Sequence, residues 1–187
     1  MRTLFCVVAL FLGCSVLRAE DKDVWKRYAP ARAGFSVLLP SEPTTGTIPK
    51  QEPPIYFAAI KRKAEDSLSF QVHWSPREKS FESRDAAKAF VKGAREGALR
   101  VAKEKFNGKL IRSERITLGD LEGSEYVIYF SEGNVSRTRD FAGGKEVYSL
   151  TVSGRDEKAV GSPDAEKFFN SFQLSKTAEG KEAKGGR

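Results

Sequence analysis

Polar and apolar positions along the chain fall into two periods. From residue 68, Leu68, Phe70, Val72 and Trp74 point one way, while Ser69, Gln71, His73 and Ser75 point the other. Strict alternation of this kind predicts a half-buried strand. In "GFSVLLP", residues 34–40, Phe35, Val37 and Leu39 share a face and Leu38 lies on the other. Pro40 cannot donate to a ladder and closes that strand. "IYFAAIKRK" predicts a further strand, joined to the one at residue 68 by "AEDS". "SEPTTGTIPKQEPP", rich in proline and small polar residues, predicts a loop.

After residue 82 the period becomes helical. Ala87, Phe90, Val91, Ala94, Ala98, Val101 and Ala102 form a narrow apolar stripe. Ser83 is placed to cap the start, with Asp85 in the first turn, and Asn107-Gly108 is a stop signal. Gly93 and Gly97 cost a helix about 1 kcal/mol each relative to alanine, so we expect them to allow close approach to a sheet. The remainder predicts a meander with strands at Leu110–Thr117, Leu121–Ser131, Val135–Phe141 and Glu146–Ser153. "LGD", "EGN" and "AGG" supply its turns. A short helix from Pro163 or Asp164 to about Ser171 follows, with Phe168, Phe169 and Phe172 on its apolar side. The pattern as a whole predicts an α+β fold. Its core is an antiparallel sheet of about six to seven strands, with one long helix and a short C-terminal helix packed on it.

The first residues change the picture of where this domain resides. Arg2 precedes a nearly unbroken apolar run from Leu4 to Leu17, and Arg18-Ala19-Glu20 then turns polar. That layout predicts a signal peptide over 1–19, cut after Ala19. A spanning helix needs about 20 apolar residues, more than this run provides. "FLGC" also resembles a bacterial lipobox, with Cys14 as the lipid acceptor, although Phe11 and Leu12 depart from the usual pattern. The expected location is secreted or periplasmic, or alternatively anchored to the bacterial envelope through Cys14. Residues 20–174 are expected to form a single domain, with 175–187 a disordered basic tail.

Cys6 and Cys14 are the only cysteines, and both lie in the leader. The mature chain therefore has no disulfide, thiol nucleophile or thiolate metal site. The formal charge of +7 falls to +5 once Arg2 and Arg18 leave with the leader. A surplus of that size is no nucleic-acid signature.

Candidate chemistry is sparse. His73 is the single histidine. It lies on the polar side of its strand and is expected to be exposed; with no second imidazole or thiolate, a transition-metal site is not expected. A serine hydrolase would have to use His73, and no nucleophile elbow is present. Glu122, Glu125 and Asp140 could meet across the meander as acid and base, or simply be solvated. Arg137 and Arg139 lie two apart and share a face with Val135 and Phe141, where they could grip a carboxylate or phosphate. The plainer reading bridges them to Glu125 or stacks them on Tyr129. A three-residue turn at "EGN" sets Arg137 opposite Tyr129, and a two-residue turn sets it opposite Phe130. Asn134-Val135-Ser136 matches a glycosylation sequon, of consequence only in a eukaryote. No dinucleotide fingerprint, phosphate loop, zinc-protease motif or calcium loop occurs, and no cofactor is expected.

The order of these elements is suggestive. "GFSVLLPSEP", the long helix, "LEGSEYVIYF", "SRTRDFAGGKEVYSLTVSG" and a closing "AEKFFNSFQL" together resemble the PsbP-like family of small exported domains. The resemblance spans residues 25–174 and rests on structural motifs. It implies a central antiparallel sheet with helices packed against it, and members that act as assembly, accessory or binding proteins. It carries over no catalytic residue. The expected function is a non-enzymatic exported domain that binds a protein or envelope partner. The alternatives are a small-ligand or anion binder using Arg137 and Arg139, and a hydrolase built on His73 or paired carboxylates. A deep cleft holding His73 or Asp140 would overturn the non-enzymatic expectation.

Overall fold

The structure is a computed structural model that describes residues 24–31, 33–62 and 67–175. The leader expected over 1–19, with Cys14, lies outside the described residues, as does all but the first residue of the expected tail. The elements in chain order are β1 (Lys26–Tyr28), β2 (Phe35–Leu39), β3 (Thr44–Ile48), β4 (Ile55–Lys61), β5 (Ser69–Pro76), α1 (Arg84–Phe106), β6 (Lys109–Leu118), β7 (Leu121–Tyr129), β8 (Val135–Gly143), β9 (Glu146–Gly154), α2 (Glu157–Val160), α3 (Pro163–Asn170) and β10 (Gln173–Leu174).

β3 to β9 form one antiparallel sheet in the order β3-β4-β5-β9-β8-β7-β6. β1, β2 and β10 form a second, small sheet with β2 in the middle. The meander from β6 to β9 is sequential, and α1 carries the chain from β5 to the far edge at β6. α1 begins and ends as the sequence predicts. The Ser83 side chain accepts from the Ala86 N–H, and Asn107 takes a left-handed conformation at φ 48°, which asparagine tolerates better than most residues.

The two faces of the large sheet are covered differently. One carries the main core, where Phe35, Val37 and Leu39 of β2 and Phe168, Phe169 and Phe172 from α3 and beyond it meet Phe70, Val72, Leu150 and Val152. Phe168 packs edge-on to Phe70 at 5.4 Å, and Phe172 stacks on Phe141 at 5.9 Å, arrangements that add to simple area burial. Gly123 lies opposite Phe141; a Cβ there would come within 2.6 Å of the Phe141 ring, so the close approach excludes any side chain. The other face is covered by α1, which packs mainly over β7 and β8.

Several expectations are corrected. The proline-rich segment is not all loop, since Thr44–Ile48 pairs with β4 as an edge strand. Edge placement suits it, because prolines flank the strand rather than interrupt it. Gly93 allows no close approach: a Cβ there would meet nothing within 4 Å. The "EGN" turn is longer than either register considered, because Tyr129 pairs with Val135.

Candidate functional site

The helix-facing side of the sheet is assembled from alternate residues of four neighbouring strands. Register sets them in rows. His73, Ser149, Asp140 and Ser124 form one row across β5, β9, β8 and β7; Gln71, Thr151, Thr138 and Tyr126 form the next. A third row sets Ser69 beside Ser153, Ser136 and Ile128. Directly opposite side chains in such rows have Cβ atoms about 5 Å apart. The floor is therefore a polar grid, and α1 forms a roof over one end of it. Ala94, Ala98 and Ala102, one turn apart, face the grid beside Val91 and Val101. Ala102 packs on Tyr126 and Ile128 with Ala98 beside it, and the small side chains toward Ala94 leave the neighbouring space between helix and sheet unfilled. The result is a cavity of about 500 Å³ between an apolar roof and a hydroxyl-rich floor, within the usual size of small-molecule sites.

His73 lies in this floor. Expected to be exposed from its place on a polar strand face, it is only 8% exposed. The Phe57 ring stands edge-on to the imidazole at 6.3 Å, and its buried Nδ1 has no hydrogen-bond partner. Burial pulls its pKa from 6.5 down to about 4, because a charged imidazole loses its water there. Asp140 lines the same cavity. The Tyr126 hydroxyl donates to its Oδ2 at 3.0 Å, and the neighbouring Ser149 hydroxyl also favours its ionised form. Burial raises the Asp140 pKa from 3.8 to about 6, against the pull of those two donors. Burial, with the Asp140 charge adding to it, holds the Tyr126 hydroxyl well above its usual value, so it remains a donor. In the next row Thr138 and Thr151 bond each other at 3.0 Å.

Arg137 and Arg139 lie on the opposite face. Arg139 pairs in register with Glu125, and Arg137 with Val127. Arg137 donates to Glu125 at 2.8 Å and Arg139 to the same oxygen at 2.6 Å. Arg137 also donates to Glu166 of α3, and both guanidinium groups sit over the Phe169 ring, at 4.9 and 4.7 Å. Arg112 reaches Glu125 from β6 at 3.3 Å. Burial works to raise the Glu125 pKa, but the bonds from Arg137 and Arg139 outweigh it and hold the carboxyl below its ordinary value. The two arginines thus act as the glue between the sheet and α3. The three carboxylates that could have met are also divided. Glu122 and Asp140 face α1, whereas Glu125 faces α3, and Glu122 is held by Arg84 and by Arg115 at 2.7 Å.

Comparison with solved structures decides the fold. The solution structure of cyanobacterial PsbP (CyanoP) from Synechocystis sp. PCC 6803 superposes with a TM-score of 0.52 over 86% of this chain and 98% of that one, at 13% identity. The fold is PsbP-like. A crystal structure from Bacteroides thetaiotaomicron VPI-5482 aligns over 82% of this chain and 50% of its own, at 11% identity and a TM-score of 0.46. A Pseudomonas aeruginosa protein of unknown function, PA94, aligns over 73% of this chain and 86% of its own, at 15% identity and a TM-score of 0.42. No family model matches the chain, and no curated protein does. The PsbP-like architecture accounts for the small sheet, the long helix and the terminal aromatic helix. Among the described residues no helix is long and apolar enough to cross a membrane, and no group of histidine, cysteine, aspartate and glutamate side chains is gathered as a metal site.

Two features of the site are not legible in the order of residues. The first is the burial of the polar rows, which the alternation assigns to a face without saying what covers that face. The second is Asp140, whose isolation from any cation depends on pairings across three strands. A usable signal was the spacing of Ala94, Ala98 and Ala102, which marks a helix face too small to fill the space it covers.

Proposed function

We propose that this chain is an exported, non-enzymatic binding domain whose cleft between α1 and the sheet takes a small amphipathic molecule. The observation that carries the proposal is the buried polar floor beneath a cavity of about 500 Å³, with the His73 Nδ1 left without a partner. Buried polar groups are ordinarily bonded, and an exception in a cavity points to something that completes it. The floor would bond the polar edge of the ligand, and the α1 stripe would take its apolar side.

The cleft holds both His73 and Asp140, the observation that stands most directly against a non-enzymatic role. A serine–histidine–aspartate triad sets the histidine between the serine and the carboxylate. Here Ser149 stands between His73 and Asp140 in the row. That order is not the triad's, and it leaves the His73 Nδ1 without an orienting acid. The Arg137 and Arg139 pair supports no anion site, since Glu125 and Glu166 already engage both groups.

The test is to titrate the isotope-labelled chain with a fragment library and follow its amide resonances. Shifts should cluster on Gln71, Thr138, Thr151 and Ala98, and Ala98→Trp should abolish them. Stable co-purification with an envelope partner, with no fragment reaching the cleft, would favour the protein-binding reading instead. A measured hydrolytic activity lost on His73→Ala would overturn the non-enzymatic one.

A further inference from the structure

Among the described residues three carboxylates are almost wholly buried: Glu122 at 1% exposure, Glu125 at 2% and Asp140 at 7%. The first two are treated alike. Glu122 is held by Arg84 and Arg115, and Glu125 by Arg112, Arg137 and Arg139. Asp140 is the exception. Its partners are the neutral hydroxyls of Tyr126 and Ser149, and among the described residues no lysine or arginine pairs with it. It is also the one of the three that lines the cavity.

An unpaired buried carboxylate costs several kcal/mol, which is why buried charges are normally paired. A carboxylate also offers about four acceptor positions, and two hydroxyl donors leave some of them unfilled. Resting on the cleft reading, we infer that the ligand carries a cationic group, a protonated amine or guanidinium, and that Asp140 receives it. The apolar body of the ligand lies beneath Ala94, Ala98 and Val101. His73 sits in the same row as Asp140, two strands away, roughly 10 Å along the sheet at backbone level. Its unpartnered Nδ1 is a second anchor for a ligand long enough to reach it.

Isothermal titration of the full chain near neutral pH provides the test, with phenethylamine, phenethyl alcohol and phenylacetate as probes. The three share an aromatic body and differ in the charge of the head. The amine should bind roughly tenfold more tightly than the alcohol, as a hydrogen bond to a charged group implies, and phenylacetate should not bind. Asp140→Asn keeps the shape of the side chain and should erase the preference for the amine while sparing the alcohol. Alcohol binding retained by Asp140→Asn guards against a variant that merely fails to fold. Equal binding of amine and alcohol, or a preference that survives Asp140→Asn, would overturn the cationic class while leaving the cleft as a binding site. Failure of all three probes to bind the parent chain would overturn the cleft reading and this inference with it.

Discussion

Phe70, Val72, Leu150 and Val152 on the α3 side of the large sheet are buried completely against other side chains. One residue along on the same strands, Gln71, His73, Thr151 and Ser153 face α1 and line a cavity. Strand register is common to both faces, so the difference comes from what covers them. The α3 side is filled by phenylalanines and sealed by an arginine–carboxylate cluster whose charges are answered within the chain. The α1 side is roofed by alanines and valines, and the buried carboxylate that lines its cavity, Asp140, is answered only by hydroxyls. One face spends its polar groups on holding layers together; the other keeps them over an open volume. A sheet can therefore separate a structural face from a binding face with no change of backbone.

The largest effect should come from breaking the sealed face. Glu125→Leu removes the acid shared by Arg112, Arg137 and Arg139 and strands two poorly exposed guanidinium groups. Loss of one partner from a buried ion cluster costs about 3–5 kcal/mol, which urea unfolding at neutral pH would read. A loss well below that would mean that Glu166 and Phe169 alone satisfy the arginines.

A smaller effect, of two signs, should come from the open face. The folded chain holds His73 at about 4 against an ordinary 6.5, so between those values the unfolded chain binds the extra proton and stability falls as pH falls. Asp140 is held at about 6 against 3.8. There the folded chain keeps a proton that the unfolded chain has released, so stability falls as pH rises through that window. Each contribution is worth about 3 kcal/mol over its window, and in the parent chain they nearly cancel. Asp140→Asn should therefore make the chain lose about 3 kcal/mol more than the parent on acidification from pH 6.5 to 4. His73→Gln should shift the slope the other way by a similar amount. Urea midpoints across that range, read as differences from the parent, check both signs, and parallel curves for all three chains would refute the assignment.

The smallest effect sharpens the contrast most. Ala165→Leu adds volume to the filled face, where Ala165 is completely buried, and overpacking should cost about 1–3 kcal/mol. Ala94→Leu adds the same atoms beneath α1, where room exists, and should change stability by less than about 0.5 kcal/mol. Matched thermal melts of the pair measure that difference between the two faces.

Much of the fold was legible in the order of residues. The helix from Ser83 to Asn107, the four meander strands and the terminal aromatic helix all follow from periodicity and capping. β1, β10 and α2 were not legible, because each is too short to show a period, and β3 was hidden among prolines. The site was half legible. Alternation put Ser69, Gln71, His73 and Ser75 on one side of their strand, which the structure bears out. It then equated a polar face with a wet one, which fails because a second layer covers this face without filling it. Arg137 and Arg139 stood out as neighbours on one face, but their engagement by Glu166 and Phe169 depends on where α3 docks, a contact between residues about thirty positions apart in the chain.

The alanines of α1 have a consequence for how such a pocket can diversify. Positions 94, 98 and 102 lie on the helix and take no part in the ladder that aligns the floor. Enlarging Ala94 would shrink the cavity from above while the rows of hydroxyls stayed in place, whereas Ala102 already rests on Tyr126 and Ile128. The size of an acceptable guest and the chemistry that greets it are thus written on separate elements. Relatives of this chain could change the first at position 94 and leave the second untouched.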